Sequence, residues 1–220
     1  MIKIEKEEVF NIPGAIRGMR NPLNSWNLSD SGIIQEQVEY GDGTVKTEVS
    51  YRIGEKDLDL MKRLISAGPS HRKFLRQIFV CADITAPLYW FKEFDTYKVA
   101  TTANSCSTMH KIQSKEFTKE DFSIEHLFSD EECDFNEPME ATIAALNKAR
   151  EKYLETNDKK YWWQMIQLLP SSYNQKRTIT MDYETLLNIY ETRKNHKLDE
   201  WNQFREWILT LPYTKELFNE

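Results

Sequence analysis

The chain has 220 residues, enough for one large domain with a sizeable core, and its 40% hydrophobic and 29% charged residues are an ordinary globular mixture. A net charge of −6 argues against nucleic acid as a first partner. Cys81, Cys106 and Cys133 are odd in number and lack a CxxC spacing, which argues against a disulfide framework or a cysteine zinc site and predicts a reduced, cytoplasmic protein.

The opening MIKIEKEEVFNIPG has acids and no apolar stretch, so no signal peptide is expected, and no run of roughly 18 apolar residues predicts a membrane span. Residues 1–9 alternate, with Ile2, Ile4 and Val9 on one side, as an edge strand would. Residues 11–24 hold Pro13, Gly14, Gly18 and Pro22, and predict a short helix or turn presenting Arg17 and Arg20, either to solvent or to an anion. Val38-Glu39-Tyr40, the turn Gly41-Asp42-Gly43 and alternating Val45, Thr47, Val49 and Tyr51 predict a β-hairpin. Leu58, Met61, Leu64 and Ile65 recur at helical spacing over residues 57–67, and Gly68-Pro69 ends that helix.

Residues 74–84 predict a strand, with Ile78, Val80, Ala82 and Ile84 on one face and Phe79 and Cys81 on the other, both faces covered. Thr85-Ala86-Pro87 is expected to start a helix that continues over 88–95, with Thr85 as its N-cap and Pro87 in its first turn. Residues 85–110 pair aromatic surface with a run of small hydroxyl and thiol side chains, and are expected to wall a ligand site. The acidic segment 113–136 predicts a loop-rich excursion with a short helix around 124–128. Long helices are expected over 139–155 and 161–169, a strand over 177–181, a helix over 183–193 capped by Asp182, and a last helix over 198–209.

Only 7 glycines are present, without a Walker loop or GxGxxG, and the 4 histidines form no HExxH. Metal is not expected. The run Asn104-Ser105-Cys106-Ser107-Thr108 lets a backbone approach a ligand closely and suits a phosphate, or else it is a solvent loop. Read alone, His71 is a surface histidine and Glu93 part of a solvated helix face. Asn188, inside a helix, hints at a side-chain role.

The order of these pieces resembles flavin-dependent thymidylate synthase: a His-bearing loop, a strand, Ala86-Pro87, an aromatic helix and a small-residue loop, then a capped helix with Asn188 and Arg193 and a Trp-bearing helix. The resemblance covers about residues 57–110 and 161–211. It implies an α+β fold forming a single domain over 1–220, with a small mixed or antiparallel sheet flanked by several helices. It implies flavin-dependent methylation of dUMP to dTMP, with FAD, NADPH and methylenetetrahydrofolate, in a homotetramer whose sites are shared between subunits. The alternative is a nucleotide- or flavin-binding homologue without that activity.

By the same resemblance, His71, Lys98, Asn188 and Asp182 contact the flavin. Glu93, Ser105, Cys106, Ser107 and Arg193 contact the nucleotide, with Cys106 and Arg193 in catalytic places. Where the family has Arg-His-Arg, seven residues and Ser, this chain has Thr96-Tyr97-Lys98, seven residues and Cys106.

Overall fold

The computed structural model describes residues 1–218. The chain divides into two compact units, each built from separated stretches. The first comprises residues 1–7, 81–180 and 193–204; the second comprises residues 8–80, 181–192 and 205–220. Among the described residues no helix is long and apolar enough to cross a membrane.

Most of every strand of the four-stranded sheet lies in the first unit. The strands are β1 (Lys3–Phe10), β4 (Phe79–Pro87), β5 (Thr102–Ser105) and β6 (Asn174–Asp182), in the order β1-β4-β6-β5. β1 is an edge, as its alternation predicted. β5 runs antiparallel to β6, with Thr102 opposite Thr180 and Ser105 opposite Arg177. In β4, Val80, Ala82 and Ile84 are buried on one face, whereas Phe79 on the other is 39% exposed and Cys81 half-buried. The expectation of two covered faces is therefore corrected.

Helix α3 (Leu88–Phe94) starts later than expected. Ala86, ahead of Pro87, is held extended by the proline ring, so the strand runs through Pro87. Thr85 caps nothing: the amides of Leu88 and Tyr89 donate instead to the carbonyls of Tyr173 and Ser171. α3 buries Trp90, Phe91 and Phe94. These rings meet Trp201 and Phe204 of α7 (Asp199–Ile208), with Trp90 4.8 Å from Trp201 and 5.5 Å from Phe204 between ring centroids. Rings that large dominate the core energetics of this unit.

A second cluster joins α4 (Asn136–Thr156) and α5 (Lys159–Leu168) to the acidic segment. Phe117 and Phe122 are buried beside Leu146, Ala149 and Met165. Asn147 clamps the segment by accepting from the Phe117 amide and donating to its carbonyl. The expected helix at 124–128 is absent. Phe122 bridges Tyr173 in extended form, the Ser123 amide donates to the Ser172 carbonyl, and the only helical turn described here is Lys119–Asp121, closed by a Thr118/Asp121 capping box.

The second unit holds the hairpin of β2 (Gly32–Glu39) and β3 (Val45–Arg52), α1 (Ile12–Arg20), α2 (Glu55–Ser66), α6 (Tyr183–Thr192) and α8 (Thr214–Phe218). α2 ends where expected, on Gly68 at φ +94°, whose amide returns to the Ile65 carbonyl. Arg20 does neither of the things expected of it. It is buried, and its Nε donates to Asp57 Oδ1 at 2.6 Å. Asp182 caps α6 as expected, accepting from the Thr185 amide at 2.8 Å.

Candidate functional site

In the first unit the site is built around one carboxylate. Two donors converge on Glu93 Oε2, Arg193 Nη1 at 2.9 Å and Trp201 Nε1 at 3.0 Å, and His196 Nε2 lies 3.2 Å from the same oxygen. Arg193 is held a second time, its Nε donating to the Tyr97 hydroxyl at 2.8 Å. Its guanidinium lies over the Trp201 ring, 4.4 Å from the centroid, adding a cation–π contact. His196 is fixed by its other nitrogen: the Leu198 amide donates to Nδ1 at 3.1 Å, so the ring hydrogen sits on Nε2, facing the carboxylate.

Helix geometry makes this convergence possible. Glu93 lies in the last turn of α3, and Tyr97 follows just beyond the helix end. Trp201 enters from the first turn of α7, which its own burial against Trp90 fixes.

Glu93 and His196, with Tyr89, Asn195, Lys197 and Leu198, line an open groove of about 710 Å³. The Tyr89 hydroxyl donates to Glu200, and burial together with that carboxylate holds its pKa well above the ordinary tyrosine range. It therefore serves as a neutral wall. Beside the groove, Arg177 pairs with Asp95 at 2.7 Å and stacks on Phe91, 3.8 Å from its centroid.

The other expected residues of this unit lie elsewhere. Lys98 is exposed and lines a small cavity of about 130 Å³ with Tyr97, Thr101 and Ala103. Ser105 ends β5 and is exposed. Cys106 and Ser107 line a separate cavity of about 510 Å³ that Lys111, Lys115 and Lys176 also line. The Cys106 backbone is pinned, its amide donating to the Lys176 carbonyl and its carbonyl accepting from Gln175 Nε2, while the residue itself is exposed. The structure thus brings Glu93 and Arg193 together and sets Cys106 and Ser107 in a different cavity of the same unit.

In the second unit His71 follows the Gly68 turn and is exposed. Asn188 lies on the outer face of α6. Asp182 is 2% exposed and committed to the α6 cap; burial raises its pKa, and the Thr185 hydrogen bonds offset that only in part. Glu184 is held by Arg72 at 3.3 Å and Arg76 at 2.7 Å. Of the expected flavin contacts, Lys98 in the first unit and His71 and Asn188 in the second are each exposed polar side chains that no described side-chain hydrogen bond consumes. Asp182 is buried.

The sequence reading missed His196. Its only signal was position, three residues beyond Arg193 and two before Leu198, whose amide orients it. Trp201 was read as core, which it is, but its Nε1 is also a site donor.

No family model matches the chain. No curated protein matches it. Solved structures do. Thymidylate synthase X from Helicobacter pylori, crystallised with FAD and dUMP, is 16% identical with a TM-score of 0.67, over 100% of this chain and 97% of that one. A further structure of flavin-dependent thymidylate synthase from the same organism, complexed with FAD and dUMP, gives 16% and 0.67 over 99% and 98% of the two chains. The protein has the α+β fold of the flavin-dependent thymidylate synthases, as the sequence resemblance implied.

Proposed function

We propose that the protein binds a pyrimidine nucleotide at the groove of Glu93 and methylates its ring with the help of FAD, in the manner of a flavin-dependent thymidylate synthase. The observation that carries this reading is the Glu93–Arg193–Trp201–His196 web, which holds a carboxylate rigidly at a groove large enough for a nucleotide. The fold, shared with enzymes solved with FAD and dUMP, supports it.

In this reading Glu93 fixes the base edge and Lys197 supplies charge for the phosphate. Arg193, tied to Tyr97 and Glu93, would keep that carboxylate in place and stabilise negative charge that develops on the ring. By the resemblance, Lys98, His71 and Asn188 are each expected to contact the flavin. Bound FAD supplies the hydride that reduces a methylene taken from methylenetetrahydrofolate, with NADPH as the source of electrons. Cys106 and Ser107, which line a separate cavity, take no part at the groove in this reading, and a homotetramer is the expected assembly.

A second reading, nucleotide binding without flavin chemistry, is favoured by one set of contacts. Asp182 is spent as a cap, and Glu184 neutralises both Arg72 and Arg76.

Colour and growth separate the two. Protein purified with, or able to take up, the yellow absorbance of FAD, and able to rescue a thymidine auxotroph, upholds the first reading. A colourless protein that binds a nucleotide but refuses FAD upholds the second. Arg193→Ala should abolish rescue; undiminished growth would sink the assignment.

A further inference from the structure

Glu93 is loaded on one oxygen and bare on the other. Oε2 receives Arg193 and Trp201, with His196 Nε2 3.2 Å away, while Oε1 takes no hydrogen bond among the described residues. The side chain is 37% exposed and lines the groove. A carboxylate oxygen can only accept, and with two donors fixing its twin this one is held in place. The groove therefore presents a rigid acceptor, flanked by the Tyr89 and His196 rings, with Lys197 and Asn195 supplying donors on the same lining.

Pyrimidine bases meet such an acceptor differently. Uracil offers an N–H lying between two carbonyl oxygens, so an acceptor at its edge also faces carbonyl lone pairs. Cytosine offers an exocyclic amino group in place of one of those carbonyls. A glutamine could satisfy uracil by donating to its carbonyl as well as accepting; a glutamate cannot. Uracil can meet Oε1 only with its single N–H, and the flanking carbonyls then face a carboxylate in a partly desolvated groove, whereas cytosine meets it with an amino group.

Building on the nucleotide reading above, we propose that the groove selects its base through the exocyclic amino group, so that a cytosine nucleotide is preferred over the matching uracil nucleotide. Glu93 is the specificity-determining residue, and Trp201 and His196 are positioning residues that keep Oε1 in place. The lysine of the groove serves the phosphate common to both nucleotides and does not discriminate.

The test is titration calorimetry of the purified full-length protein with dCMP and with dUMP, each with and without FAD. The expected result is tighter binding of dCMP by about tenfold or more. Glu93→Gln, which gains a donor, should reverse or erase that preference. Trp201→Phe, which keeps a ring but removes one donor from Oε2, should narrow it, and serves in place of Glu93→Gln if that variant does not fold. Equal or tighter binding of dUMP by the wild-type protein overturns the inference and leaves the nucleotide reading standing. Binding of neither nucleotide overturns both. An unchanged preference in a folded Glu93→Gln, judged by its melting curve, also overturns the inference.

Discussion

Two of the arginine–carboxylate pairs of this protein, Arg20–Asp57 and Arg193–Glu93, use the same chemistry to opposite ends. In the second unit, Asp57 is fully buried and both oxygens are filled. Oδ1 accepts from Arg20, and Oδ2 accepts from the hydroxyls of Ser29 and Ser31 at 2.6 Å and from the amides of Asp30 and Ser31 at 3.1 Å. In the first unit, Glu93 is filled on one oxygen and open on the other, beside a groove. A saturated pair can do nothing but hold the chain; a half-saturated one holds itself and keeps an acceptor for a ligand. What separates structure from site is how much hydrogen-bonding capacity the surroundings leave over, not the presence of an ion pair.

The sharpest way to break this comparison is to remove the carboxylate of the saturated pair. Asp57→Ala strands the buried Arg20 guanidinium and leaves two hydroxyls and two amides without their acceptor. It should cost about 3–5 kcal/mol in urea or thermal unfolding. The same site gives a pH signature. Burial by itself would raise the Asp57 pKa, but hydrogen bonds from Ser29, Ser31 and Arg20 outweigh it and leave it lowered. A lowered carboxylate contributes stability above its unfolded value of about 3.9 and loses it as pH falls through the folded value, so Asp57 should add to acid unfolding below about pH 4. A loss under about 1 kcal/mol would mean the pair is not the structural element argued here.

Breaking the open pair should read out in binding instead. Arg193→Ala leaves Glu93 the Trp201 donor, the nearby His196 ring and partial exposure. Stability should fall by only about 1 kcal/mol, while nucleotide affinity falls by about tenfold or more. Arg193→Lys should lie between, because an ammonium cannot bond Glu93 and Tyr97 with one planar group. Melting curves and calorimetry on the same samples check both halves. A stability loss matching that of Asp57→Ala, with affinity unchanged, would erase the distinction.

Residue patterns made the scaffold legible and the saturation of its polar groups illegible. Helix α4 and the α2 stop at Gly68 follow from local periodicity and turn chemistry, which a sequence displays directly. The late start of α3 was also written in the sequence, since Pro87 forbids a helical Ala86, but the capping residue Thr85 drew the boundary too early. The acidic segment misled because its charges are conspicuous and its two buried phenylalanines are not. At the site, Glu93 and Arg193 stood out through the resemblance. His196 and the second role of Trp201 did not, because a donor's direction depends on packing between α3 and α7, which no spacing rule encodes. Arg20 looked like an anion contact for the same reason: Asp57, 37 positions away in sequence, is what consumes it.

The smallest expected effect sits at a third carboxylate and separates a cap from a cofactor contact. Asp182 is buried like Asp57 but lacks its escort of donors, and its pKa is raised where that of Asp57 is lowered. The sign then inverts. A raised carboxylate favours the fold most below its unfolded value, and that contribution declines as pH climbs through about 4 toward the folded value. Asp182→Asn keeps an oxygen for the Thr185 amide and sheds the buried charge, so at pH 7 it should be at least as stable as the wild type, with the gap closing in acid. Asp182→Ala loses the cap and should cost about 1 kcal/mol. If Asp182 only caps α6, the Asn variant should also take up FAD as the wild type does, because its side chain is turned into the helix start and is 2% exposed. Loss of FAD uptake by a stable Asp182→Asn would instead place this carboxylate among the flavin contacts, and the resemblance would have read it better than its burial does.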